Sequence, residues 1–76
     1  SAAESRFADI IWENEPISSN TLAKKSEEIL KWKKSTTYTV LKRLCDKGLF
    51  LNEGGTVKVL LSKEEFFQLP IEFFQG

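Results

Sequence analysis

Apolar positions along the chain change their period between the first half and the second, and the change divides it into elements. From residue 5 to 14, Phe7, Ile10, Ile11 and Trp12 recur at spacings of three and four, the mark of a helix with one apolar face. Glu15-Pro16 ends it, because the residue before a proline is pushed out of helical backbone. Ser18 or Ser19 can then cap a second helix over about residues 19–29, with Ile17 folded back on Leu22 as a hydrophobic staple and Leu22, Ser26 and Ile29 on one side. Lys31 to Lys34 link it to a third helix, and Trp32 reads as a plug between the two.

The third helix is the most informative. At about 100° per residue, Thr37, Val40, Leu41 and Leu44 form one stripe, and Gly48 stops the helix. Its other side carries small hydroxyls and a tyrosine near the start, then a basic pair a turn later. Hydroxyls and aromatic edges can reach base edges, and cations can hold phosphates. Ser35, Thr36, Tyr38 and Thr39 are therefore the candidate base-facing residues, and Lys33, Lys34, Lys42 and Arg43 the candidate phosphate contacts. A solvated helix face is the plain alternative for any one of them.

After Gly48 the period becomes two. Leu49 to Glu53 and Thr56 to Leu61 are β-prone runs around Gly54-Gly55, a short hairpin in which Val57 and Val59 alternate with Thr56 and Lys58. Lys58 joins the phosphate candidates as the one cation of this hairpin. Ser62 and Glu65 make a capping box, so the tail should open as a helix, which Pro70 breaks or restarts. The fold class that follows is mainly α with a small β-hairpin. It is a winged helix-turn-helix of three helices and a two-stranded wing, with a C-terminal helical tail. Residues 1–4 read as a cloning remnant or a disordered lead-in, 5–62 as the winged-helix domain, and 63–76 as the tail and a possible start of a dimerisation segment.

Composition narrows the function. Eleven basic and eleven acidic residues cancel over the chain, yet Lys31 to Lys47 holds six of the cations against Asp46 alone, so charge is segregated. Without histidine there is no imidazole base, and the single Cys45 excludes a thiolate cage; no glycine-rich loop precedes a helix. An enzyme, a metal centre and a cofactor are not expected. Cys45 flanks the apolar stripe as a small hydrophobe. No apolar run is long enough for a membrane span, no signal peptide is evident at the amino terminus, and a reducing cytoplasm suits a lone cysteine.

Taken together, Ile11-Trp12-Glu13, Glu15-Pro16-Ile17-Ser18-Ser19-Asn20, Trp32, Thr36 and Thr39 with Leu41-Lys42-Arg43-Leu44, Lys47-Gly48-Leu49 and Ser62-Lys63-Glu64-Glu65-Phe66 resemble the penicillinase-repressor (BlaI/MecI/CopY) family of bacterial winged-helix transcription regulators. The resemblance covers about residues 6 to 67. It implies a repressor that binds a palindromic operator in double-stranded DNA as a homodimer, third helix in the major groove, and that in some members is released by proteolysis beyond the wing. Two departures stand out. Lys33-Lys34 occupies the place of the family's Ser-Pro pair, and the wing is short, lacking the usual basic and aromatic residues. The reading from a different class is a winged-helix module that binds protein and not DNA, since the fold hosts both uses.

Overall fold

A computed structural model describes residues 1–70 of the chain. In order, the elements are α1 (Ala2–Asn14), β1 (Ile17–Ser18), α2 (Ser19–Leu30), α3 (Lys34–Asp46), β2 (Phe50–Glu53), β3 (Thr56–Val59) and α4 (Lys63–Phe66). This is the expected winged-helix architecture. Helix α1 begins at Ala2 and not at residue 5, because the Ser1 side chain caps it by accepting the Glu4 N–H at 3.3 Å, and two alanines favour helix directly after the cap. Glu15 has extended backbone ahead of Pro16, as its position requires. Ser18 caps α2 through the Thr21 N–H at 3.0 Å.

The wing contains one more strand than the two expected. Ile17 and Ser18 form β1, which pairs antiparallel with β3 through Ile17↔Val57 and Ser18↔Thr56, giving the order β1-β3-β2. A two-residue strand is too short to show a period of two, and only its non-local partner makes it a strand. The Ser19 N–H extends the pairing by donating to the Gly55 carbonyl at 2.8 Å. Gly54 and Gly55 have φ of 61° and 87°, and Glu53 pairs with Thr56 across them. Positive φ at both central residues is the two-residue turn whose twist matches a hairpin.

The core lies where the three helices meet the sheet. Phe7, Ile10 and Ile11 of α1, Leu22 of α2, Val40, Leu41 and Leu44 of α3, Phe50 of β2 and Val57 of β3 are all buried. Thr37, Val40, Leu41 and Leu44, the stripe legible in the sequence, are the four buried residues of α3. Ile29 is a correction: it is 48% exposed, because α2 turns Leu22, Ala23 and Ser26 inward. Trp32 packs on Phe7 with ring centroids 5.1 Å apart, plugging the link between α2 and α3. Trp12 donates its indole N–H to the Leu61 carbonyl at 2.9 Å and meets Phe50 edge-on, fastening α1 to the end of the wing.

The capping box at Ser62 and Glu65 forms, but α4 is a single turn. Phe66 lies 5.7 Å from Trp12, centroid to centroid, so the tail folds back on α1, while Phe67 remains 70% exposed. The expected continuation of the tail over 71–76 lies outside the described residues.

Among the described residues two hydroxyls, Ser26 Oγ and Thr37 Oγ1, are buried without a hydrogen-bond partner. A buried donor left unmade costs on the order of 1–3 kcal/mol, whereas a methyl of the same shape does not carry that cost. Thr37→Val should therefore raise stability by about 1 kcal/mol in a urea melt. A loss of that size would show that the hydroxyl has a partner in solution.

Candidate nucleic-acid interface

Opposite its buried stripe, α3 presents Ser35, Thr39, Lys42 and Asp46, all exposed. Thr36 and Arg43 are exposed on one flank, and Tyr38, half-buried, lies on the other. The helix has 13 residues, about 20 Å at 1.5 Å per residue, and a bare helix fits the width of a B-DNA major groove. Thr39 donates its hydroxyl to the Ser35 carbonyl one turn back at 3.0 Å. Its oxygen can still accept from a base. Tyr38 reaches over to α2, its hydroxyl 3.4 Å from Asn20 Oδ1, with the Lys34 ammonium 6.0 Å from the ring centroid. Asn20 is a site neighbour that sequence reasoning did not single out.

The start of α3 is open. Lys33 occupies the cap position without a side-chain bond, and the first backbone bond of the helix runs from the Thr37 N–H to the Lys33 carbonyl at 3.1 Å. The N–H groups ahead of Thr37 add the positive end of the helix dipole to the ammonium groups of Lys33 and Lys34. Lys33 and Lys34 are both exposed, and neither forms an ion pair among the described residues.

The other three candidate phosphate contacts are each matched by an acid. Lys42 Nζ is 3.2 Å from Asp46 one turn on. Arg43 Nη1 donates to both carboxylate oxygens of Glu4, at 2.7 and 3.0 Å, which joins α3 to the first turn of α1. Lys58 Nζ lies 2.9 Å from Glu53 across the wing, and this hydrogen bond holds the Glu53 carboxyl below its ordinary pKa. Two of these pairings had a local signal that the sequence reading did not use: the i, i+4 spacing of Lys42 and Asp46, and the diagonal from Glu53 to Lys58, two residues beyond its cross-strand partner Thr56. The third spans 39 residues, and no local pattern announces it. Cys45 is half-buried, and burial raises its thiol pKa, as suits a packing residue.

A second surface feature lies away from this face. Between α1, the end of α3 and α4, Ala8, Trp12, Leu44, Leu49, Phe66 and Phe67 line an open groove of about 600 Å³. No described helix is long and apolar enough to cross a membrane.

Among protein families, the family model described as penicillinase repressor matches residues 1–68. Searches of curated proteins and of solved structures returned no match. The matched span takes in every element from α1 to α4, including the helix that carries the exposed hydroxyls and the open, basic start. The chain belongs to the penicillinase repressor family.

Proposed function

We propose that the chain is the DNA-binding part of a transcriptional repressor, a regulator and not an enzyme, which inserts α3 into the major groove of its operator. The observation that carries this is the far side of α3, where Ser35 and Thr39 stand exposed beyond an open helix start flanked by Lys33 and Lys34. Ser35, Thr36, Tyr38 and Thr39 face base edges, and Lys33 and Lys34 hold the flanking backbone. Lys42, Arg43 and Lys58 are the remaining candidate phosphate contacts. Family membership supports the reading.

A fluorescence titration of the chain with random duplex, against duplex enriched by repeated selection, tests it. Thr39→Ala should alter sequence preference by the ~1–3 kcal/mol of a base contact, whereas Lys34→Ala should weaken every duplex alike and flatten the salt slope by about one unit. Unchanged binding by both variants would remove α3 from the interface.

The full protein is proposed to act as a homodimer on a palindrome, two copies of α3 about 34 Å apart. Phe67, 70% exposed at the end of α4, supports self-association through the tail. Sedimentation should show residues 1–76 heavier at high micromolar concentration than a chain ended at Lys63. If both are monomers and the shorter one is much less stable, the tail is core.

The second reading, a protein-interaction module, is favoured by the zero formal net charge and by the acids that match Lys42, Arg43 and Lys58. Salt separates the two, since phosphate contacts weaken linearly on a log–log scale and an apolar interface hardly responds.

A further inference from the structure

The acids that meet the candidate phosphate contacts come from three different elements: Glu4 from α1, Asp46 from the end of α3 and Glu53 from β2. The Glu4 pair is the best built. One guanidinium nitrogen reaches both carboxylate oxygens, and the Glu4 side chain is only 28% exposed, against 67% for Asp46 and 63% for Glu53. It also has a direction. Arg43 leaves α3 about 70° from the centre of the outward row, counted at 100° per residue, on the flank toward α1. Asp46 sits on the outward row itself, one turn beyond Lys42.

From this we infer that Glu4, Asp46 and Glu53 are internal counter-ions that set specificity by withholding Arg43, Lys42 and Lys58 from the DNA backbone. The inference rests on the DNA-binding reading and deepens it. A phosphate contact strengthens binding to every sequence equally, so a cation already neutralised within the protein lowers non-specific affinity without touching base readout. The backbone grip then falls to Lys33 and Lys34 at the start of α3, close to Ser35 and Thr36. The hydroxyl face consequently supplies a larger share of the total binding, and discrimination between sequences rises. Glu4 acts through Arg43 and is a positioning residue: it touches no DNA.

The test uses the whole chain with Glu4→Gln, Asp46→Asn and Glu53→Gln, singly and together, titrated with random duplex and with selected duplex over a range of salt. Glu13→Gln serves as the control. It removes the same charge from α1, where Glu13 acts on Lys63 of the tail. The wild-type salt slope on random duplex should be about −2 per chain, and that of the triple variant about −4 to −5, at roughly 0.9 per phosphate contact. At 0.1 M salt each single change should raise random-duplex affinity by close to tenfold, the worth of one phosphate contact, and lower the ratio of selected to random binding. Glu13→Gln should do neither. If no protein in the set binds duplex at low salt, the DNA reading itself fails and the inference with it. If the wild type binds but the three variants match it, if Glu13→Gln has the same effect as they do, or if the wild-type slope is already near −4 to −5, the DNA reading stands and the counter-ion role is overturned.

Discussion

Phe7→Ala should remove much of the stability this chain has. Phe7 is fully buried in α1, and its ring meets Trp32 at 5.1 Å, in the link that sets the entry to α3. Truncating a buried phenylalanine costs ~3–5 kcal/mol, through lost transfer energy and the cavity left behind, and the lost ring contact adds up to about 1 kcal/mol. A chain of 76 residues has, at the usual stability per residue, only about 4–11 kcal/mol in total. The loss therefore consumes much of the stability and falls on the junction that orients the proposed reading helix. Ile29→Ala is the matched control, because Ile29 is 48% exposed and its truncation should cost under about 0.5 kcal/mol. Urea melts followed by tryptophan fluorescence read both, and a loss below 1 kcal/mol for Phe7→Ala would mean that the core is not assembled as described.

The second large effect concerns binding. Replacing Lys33 by Ser and Lys34 by Gln removes both cations that form no ion pair at the start of α3, while giving the helix the side-chain cap it lacks. A serine cap contributes about 1 kcal/mol, so the double variant should melt at the same urea concentration as the wild type or a higher one. Its affinity for any duplex should nevertheless fall about 100-fold at 0.1 M salt, close to tenfold for each phosphate contact, and its salt slope should approach zero. Stability and binding are thus expected to move in opposite directions, which a misfolded variant could not imitate. Retained affinity would place the backbone grip elsewhere, on Lys42, Arg43 or Lys58.

How much of this could be read from the chain depends on whether the deciding contact is local. The stripe of Thr37, Val40, Leu41 and Leu44 is set by helical periodicity, and all four residues are buried. Ser18, Gly54-Gly55 and the Ser62–Glu65 box act within a few residues of themselves, and each forms as its chemistry requires. Strand β1 escaped because Ile17 and Ser18 become a strand only when β3 arrives from 40 residues away. Ile29 misled because it sits three residues beyond Ser26 in a last turn that sets Leu30, and not Ile29, against the core. In the candidate site, the hydroxyl and basic face of α3 was legible residue by residue. What no local pattern held was the carboxylate of Glu4, which lies within the segment read as a lead-in and meets Arg43 only after folding.

If α3 is the part of this chain that meets DNA, amide chemical shifts during titration with a selected duplex should report it residue by residue. The largest changes should run from Lys33 to Lys42 and extend to Asn20 of α2, with little change along the groove lined by Ala8, Trp12 and Phe66. Changes centred on that groove, or no change at a duplex concentration that saturates the fluorescence titration, would contradict that role for α3.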